Sequence, residues 1–115
     1  MIHRELTEVL TNAEISNGIY KTVLQSSVIS SIAKPGQFVN ILPTSDWENV
    51  MRRPMSIASQ GNGEISIIYK AIGAGTLIMA NWKKGEIVDI IGPLGNYWKG
   101  YDTTFPILIG GGVGI

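Results

Sequence analysis

Cysteine is absent from this sequence of 115 residues. Its absence excludes disulfides, thiolate nucleophiles and cysteine-ligated zinc or iron–sulfur centres from this chain, so any such centre has to be held elsewhere. Histidine is nearly absent, since His3 is the only one, and at the extreme N-terminus it is expected to be solvated. We therefore predict no catalytic residue and no metal ligand in this chain.

Charge is scarce and balanced. The sequence has nine Lys and Arg residues and nine Asp and Glu residues, so its formal net charge is zero. No basic run offers the counterion-releasing surface that nucleic-acid binding needs. No apolar run approaches the roughly 20 residues that span a bilayer, and the N-terminus lacks the apolar core of a signal peptide. These absences predict a cytoplasmic protein with neither a nucleic-acid nor a membrane partner.

Short alternating apolar and polar segments are what the sequence does contain. With 44% hydrophobic residues it is apolar enough to bury one core. Alternation bounded by turn residues predicts an all-β fold of antiparallel strands. Six strands are expected, at residues 6–15, 19–24, 37–42, 54–59, 64–72 and 86–91. Because closure removes exposed edges, we expect them to form a barrel.

Two segments interrupt the strand pattern. One short helix is predicted between the fifth and sixth strands, with Thr76 as its cap, and a loop is predicted at 46–52, covered by Trp47. Met79 and Trp82 on the helix are expected to pack into the core.

The C-terminal residues differ from everything before them. Residues 105–109 form a continuous apolar run typical of a buried parallel strand, and the glycine-rich segment 110–114 follows at once. A glycine-rich turn directly after an apolar strand is how nucleotide-binding α/β domains open. We predict a barrel domain at 1–103 and the truncated start of such a domain at 104–115.

Two weak signals suggest phosphate binding. Arg52-Arg53-Pro54-Met55-Ser56 places guanidinium groups, which can hold a phosphate through two hydrogen bonds, at the start of a strand. Gly73-Ala74-Gly75-Thr76 opens a helix, where backbone amides can face an anion. A solvated rim and a bare helix cap are the respective alternatives. The combination is more specific, because the two segments flank the strand at 67–70.

The order of motifs along the chain carries a family resemblance. Arg-Pro-Met-Ser is followed by Ile-Tyr-Lys, Gly-Ala-Gly-Thr, Gly-Pro-Leu-Gly-Asn and Gly-Gly-Gly-Val-Gly. This order resembles the ferredoxin-reductase-like flavoproteins. Within that family, the Arg-Arg-Pro-x-Ser form and the Gly-Pro-Leu-Gly-Asn loop are most similar to the electron-transfer subunit of type B dihydroorotate dehydrogenase.

The resemblance implies a six-stranded antiparallel Greek-key barrel that binds FAD. It further implies a following nicotinamide-binding domain and a cysteine-rich [2Fe-2S] segment, neither complete within these residues. The implied function is to pass electrons between the iron–sulfur cluster and NAD in pyrimidine biosynthesis. The implied partner is the FMN-containing dihydroorotate dehydrogenase catalytic subunit.

The resemblance also implies which residues hold FAD. The expected set is Arg53, Pro54, Met55, Ser56, Ile68, Tyr69, Lys70, Gly75 and Thr76. Within it, Arg53, Gly75 and Thr76 are implied to bind the pyrophosphate. The remaining residues surround the flavin ring, with Ser56 near the redox-active nitrogen. Met55 departs from the tyrosine common in the wider family.

Other interpretations remain open at this level. A ferredoxin–NADP oxidoreductase or sulfide dehydrogenase subunit shares the barrel motifs, and a cofactor-free β-barrel interaction module would use the same glycines as plain turns. Tyr97 and Trp98 are expected either to contact a partner subunit or to pack between domains. Asp89 is alone in an apolar strand and is assigned no acid–base role.

Overall fold

The computed structural model describes residues 1–46 and 51–114 as one curled antiparallel sheet with short helices. Its strands are β1 (His3–Ser16), β2 (Ile19–Gln25), β3 (Phe38–Leu42), β4 (Arg53–Ser56), β5 (Ser59–Gly61), β6 (Glu64–Lys70) and β7 (Ile87–Leu94). The helices are α1 (Ile29–Ile32) and α2 (Ala74–Ala80), with single 3₁₀ turns at Tyr101–Thr103 and Gly112–Gly114. The predicted all-β antiparallel fold is confirmed. The predicted cover by Trp47 lies outside the described residues.

The strand order is β4-β3-β7-β1-β2-β6-β5. It places β7 between β1 and β3, so strands far apart in sequence become neighbours, as Greek-key connections require. Within the described residues, the ladder ends at β4 on one side and at β5 on the other. The curl brings β4 against β6 without strand pairing between them. The predicted barrel is therefore a curled sheet whose ladder stays open between β4 and β6.

The described strands number seven, one more than expected, because of β5. Gln60 pairs with Ile65 across a tight turn in which Asn62 and Gly63 both have positive φ, 54° and 77°. The predicted turn at 60–63 is thus shorter than expected, and its first half belongs to a strand. A two-residue turn with both residues left-handed matches the twist of a hairpin.

The two helices also refine the expectations. Helix α1 was not predicted, because four residues carry too little periodicity to be recognised. Helix α2 begins at Ala74 with Gly73 as its N-cap, so Thr76 is its third residue and the predicted cap position is wrong. Trp82 lies just after α2, yet it and Met79 are buried in the core as predicted.

The core lies inside the curl of the sheet. It is formed by Val9, Leu24, Ile29, Ala33, Val39, Ile41, Ile65, Ile67, Tyr69, Met79, Trp82, Val88 and Ile90. The polar groups placed there are paired: Trp82 Nε1 donates to Pro43 O at 3.0 Å, and Thr7 Oγ1 donates to Val88 O at 2.9 Å. Burial of aliphatic side chains on alternate strand positions is what holds this sheet in its curl.

Residues 105–109 do not form the predicted buried strand. The described residues show this run outside the sheet, and Phe105, Ile107, Leu108 and Ile109 are each at least 88% exposed. A parallel strand needs a neighbour on at least one side, and the described sheet offers none to this segment. The apolar face of 105–109 is therefore unpartnered here.

One carboxylate fixes the turn between β2 and α1. Glu5 on β1 accepts hydrogen bonds from Ser26 Oγ at 2.6 Å, Val28 N at 3.1 Å and Ile29 N at 3.2 Å. Partial burial alone would raise the pKa of Glu5, but these donors outweigh it and lower the pKa below the ordinary value of 4.5. Glu5 acts as the missing cap of α1.

We predict that Glu5→Gln lowers the free energy of unfolding by about 1 kcal/mol near pH 7, the typical worth of a helix cap. A lowered folded pKa means that the carboxylate stabilises the fold fully above its unfolded pKa, and that this contribution is lost as the pH falls through the folded pKa. Urea unfolding of both proteins at stepwise lower pH should show the difference shrinking below the ordinary pKa. A difference independent of pH would contradict this role.

Candidate functional site

A cleft of about 650 Å³ opens between β4 and β6, where the sheet is not paired. Its walls are Pro54, Met55, Ser56, Ile57, Ala58, Ile68, Tyr69, Lys70, Ile72, Thr76, Val113 and Gly114. Seven of the nine predicted cofactor residues are among them, and the lining is mostly apolar. A concave, mainly apolar site with a few polar groups is typical of cofactor binding.

The other two predicted residues, Arg53 and Gly75, lie against each other. A methyl group on the Cα of Gly75 would lie 2.6 Å from Arg53 Nε and 3.0 Å from its Cζ. Arg53 also donates from Nη1 to Met51 O at 2.6 Å. The missing side chain of Gly75 thus lets the Arg53 guanidinium lie on the first turn of α2. The two predicted phosphate-binding segments are adjacent in the structure.

Thr76 shapes the backbone at the start of α2. Its hydroxyl oxygen accepts from the N-cap amide, Gly73 N, at 3.0 Å, which has no partner within the helix. It also accepts from Ile72 N, just before the helix, at 3.1 Å. The side chain therefore orders the segment from Ile72 to Gly75, and Thr76 contributes to the cleft wall at the same time.

Strand β6 divides its side chains between the core and the cleft. Tyr69 is 3% exposed, and its hydroxyl lies 3.1 Å from both Thr22 Oγ1 and Asn12 Oδ1 inside the curl. Burial raises the pKa of Tyr69, so the phenol stays protonated. Because strand side chains alternate, Ile68 and Lys70 point the other way. Tyr69 is one of the residues that line the cleft, but its buried side chain belongs to the core cluster.

Asp89 has two arginine partners that the sequence did not reveal. Its Oδ2 accepts from Arg4 Nη2 at 2.6 Å and Nε at 2.9 Å, and its Oδ1 accepts from Arg52 Nη2 at 2.9 Å. Partial burial opposes ionisation, but these hydrogen bonds and charges dominate and lower the pKa of Asp89. As expected, Asp89 has no carboxylate partner among the described residues. Its two arginine partners were not predicted from the sequence.

The neighbouring arginines of the Arg-Arg-Pro motif therefore have different surroundings. Arg52 also donates from Nη1 to Asp89 O at 3.2 Å and Asn40 O at 3.4 Å, which ties it to β7 and β3. Arg53 has no carboxylate partner among the described residues, and it lies on α2. Of the pair, Arg53 retains a charge that an anionic ligand can use.

Tyr97 and Trp98 lie on the surface beyond β7. Lys34 Nζ and Lys99 Nζ approach the Tyr97 ring at 4.5 and 4.8 Å from its centroid. Trp98 N donates to Pro35 O at 2.9 Å, and the indole lies on Gly36 while staying 69% exposed. Both earlier interpretations, partner contact and packing between domains, fit this exposure.

Neither a metal-binding cluster nor a membrane-spanning helix is found in the described part of the chain. It holds no group of three or more His, Asp or Glu side chains able to bind a metal ion. None of its helices is long and apolar enough to cross a membrane.

Sequence comparison relates this chain to known proteins. No family model matches it. It is 40% identical over 112 residues to the dihydroorotate dehydrogenase B (NAD(+)) electron transfer subunit of Fusobacterium nucleatum subsp. nucleatum, a match that covers 90% of this chain. The chain is homologous to these electron-transfer subunits. It spans 42% of the length of that relative.

Structural comparison gives the same family of folds. An NADH-dependent reduced ferredoxin-NADP oxidoreductase, described for flavin-based electron bifurcation, matches with a TM-score of 0.75 and 28% identity over 83% of this chain and 34% of its own. A ferredoxin NADP+ reductase from Neisseria gonorrhoeae with bound FAD and NADP matches with a TM-score of 0.65 and 16% identity, over 76% of this chain and 36% of its own. This homologue of the electron-transfer subunits has the ferredoxin-reductase-like fold.

We predict that Gly75→Ala displaces the Arg53 guanidinium from α2, because the new methyl group would occupy its place. Alanine favours a helix over glycine by about 1 kcal/mol, and this gain offsets the lost Arg53 contact. The free energy of unfolding should therefore change by less than about 1 kcal/mol. The Nε resonance of Arg53 in nuclear magnetic resonance spectra reports the displacement.

Gly73→Ala is the matched control, because nothing lies within 4 Å of a methyl group at that position. Its Arg53 resonance should stay at the wild-type position. An unshifted Arg53 resonance in Gly75→Ala would contradict the close packing of these residues.

Proposed function

We propose that this chain is the FAD-binding domain of the electron-transfer subunit of an NAD-dependent dihydroorotate dehydrogenase in the cytoplasm. The observation that carries this is the close contact of the Arg53 side chain with Gly75, beside a cleft lined by the other predicted cofactor residues. Homology to the subunits of that name supports the assignment. In this function, electrons pass between an iron–sulfur cluster and NAD in pyrimidine biosynthesis.

The residues present fit a flavin dinucleotide. The cleft between β4 and β6 is apolar enough for a flavin ring, with Ser56 on one wall and Lys70 on the other as polar groups. Because Gly75 has no Cβ, the Arg53 guanidinium can lie close to the backbone of α2, where it would meet a phosphate. Arg53, Gly75 and Thr76 would hold the pyrophosphate, and the cleft walls would hold the ring.

The chain needs little chemistry of its own in this function. FAD supplies the electron chemistry when bound, while the protein fixes its orientation and surroundings. Ile68 would exclude water from one edge of the ring, and Ser56 would offer a hydroxyl to its polar edge, while Met55 lines the cleft but packs against the core. Tyr69, fixed by Thr22 and Asn12, holds the backbone of β6 in place behind the cleft.

The remaining parts of the electron path lie outside this chain under the proposal. A [2Fe-2S] cluster needs ligands that a chain without cysteine does not supply. We further propose that residues 104–115 begin a nicotinamide-binding domain, which would cover the exposed apolar side chains of 105–109. The FMN-containing dihydroorotate dehydrogenase catalytic subunit is the proposed partner.

A second candidate function is a subunit of a ferredoxin–NADP oxidoreductase. The match to an NADH-dependent reduced ferredoxin-NADP oxidoreductase favours it. Both candidates use the same FAD site and differ in the protein that exchanges electrons with it. Mixing the FAD-loaded full-length subunit with each electron-donor protein, and following flavin absorbance, separates the two.

We predict that the protein binds FAD more tightly than FMN, because Arg53 and the start of α2 can engage a second phosphate that FMN lacks. Fluorescence titration with both flavins measures the two dissociation constants. Equal affinity for the two flavins would contradict a role for the second phosphate, and no flavin binding by folded protein would argue for the cofactor-free module.

Arg53→Ala should weaken FAD binding by about tenfold to a hundredfold, the worth of a charged hydrogen bond. Arg52→Ala should have a smaller effect, because Arg52 is engaged with Asp89 and the backbone of β3 and β7. Titrating both variants with FAD checks this order. An equal loss at the two positions would reject the assignment of Arg53 to the pyrophosphate.

A further inference from the structure

We infer that Asp89 is a positioning residue for the FAD site, acting on the cofactor only through Arg52 and Arg53. This inference rests on the proposed function. Asp89 lies on β7, outside the cleft, and is not among the residues that line it. It reaches the site through the chain segment that leads into β4.

Arg52 is the anchor of that segment. Its guanidinium makes three hydrogen bonds, to Asp89 Oδ1, Asp89 O and Asn40 O, at 2.9, 3.2 and 3.4 Å. The Arg52 side chain is 24% exposed and that of Asp89 is 14% exposed, so water competes weakly for this pair. An ion pair shielded in this way is stronger than one on an open surface.

Asp89 is itself fixed from the other side. Arg4 on β1 donates two hydrogen bonds to its Oδ2, at 2.6 and 2.9 Å. Asp89 also sits opposite Leu6 of β1 and Leu42 of β3 in the strand ladders. The carboxylate therefore has a fixed location from which to hold Arg52.

The anchored residue directly precedes the one that faces α2. Arg53 pairs with Ile41 in the ladder between β3 and β4, and its side chain lies on Gly75. Hydrogen bonds from Arg52 to β7 and β3 hold the residue directly before Arg53, at the point where the chain enters β4.

A double-mutant cycle tests this chain of action. We expect Asp89→Asn to weaken FAD binding about threefold to tenfold in the wild-type background, and less than about twofold in the Arg53→Ala background. A residue that acts only through Arg53 has nothing to act on once Arg53 is removed. FAD titration of the four proteins gives the coupling.

Glu5→Gln is the matched control. It also removes a carboxylate that accepts several hydrogen bonds on the same sheet, but its partners are Ser26, Ser27, Val28 and Ile29 rather than an arginine. We expect it to lower stability while leaving the FAD dissociation constant unchanged. Arg52→Gln removes the same link from its other end and replaces Asp89→Asn if that variant does not fold.

The outcomes separate the two hypotheses. Equal weakening by Asp89→Asn in both backgrounds, or no weakening in either, overturns the positioning role while leaving FAD binding intact. Weakening by Glu5→Gln of the same size also overturns it, because stability alone would then explain the effect. If the wild-type protein binds no FAD, the proposed function falls and this inference falls with it.

Discussion

The packing of Arg53 on Gly75 is the contact on which the proposed site depends. Any side chain at position 75 would push the guanidinium away from the first turn of α2. The contact joins strand β4 to helix α2. It lies beside the cleft between β4 and β6, since Pro54 and Thr76, the chain neighbours of Arg53 and Gly75, are among the residues that line that cleft. The Arg53 guanidinium and the first turn of α2 are thus brought together because residue 75 has no side chain.

The sheet supplies the positions from which this contact is made. Because β7 lies between β1 and β3, Asp89 can receive Arg4 from one neighbour and Arg52 from beyond the other. Long-range strand order therefore converts three residues far apart in sequence into one network. The same order leaves β4 at an edge of the described sheet, paired with β3 alone, so that Pro54 and Ser56 also line the cleft.

Local patterns carried much of this information, and long-range pairings did not. Alternation predicted the all-β class and the buried face of β6, and the glycines of the Gly-Ala-Gly-Thr segment marked the start of α2 within a few residues. The arginine partners of Asp89 depend on which strands are neighbours, which no local pattern encodes. Helix α1 is one turn long and is capped by Glu5 from a distant strand, so its signal is also non-local. The strand expected at 105–109 depends on neighbours that the described sheet does not provide.

Strand β6 shows how the core and the cleft are made by the same residues. Ile65, Ile67 and Tyr69 fill the interior, while Ile68 and Lys70 between and beyond them face outward. The Tyr69 hydroxyl is held by Thr22 and Asn12, and Asn12 in turn donates to Met79 O and Trp82 O around the end of α2. One buried polar network thus fixes the depth of β6 and the position of α2 relative to β1 and β2. Since the cleft walls come from β6 and α2 as well as β4, the dimensions of the site are set by hydrogen bonds inside the core.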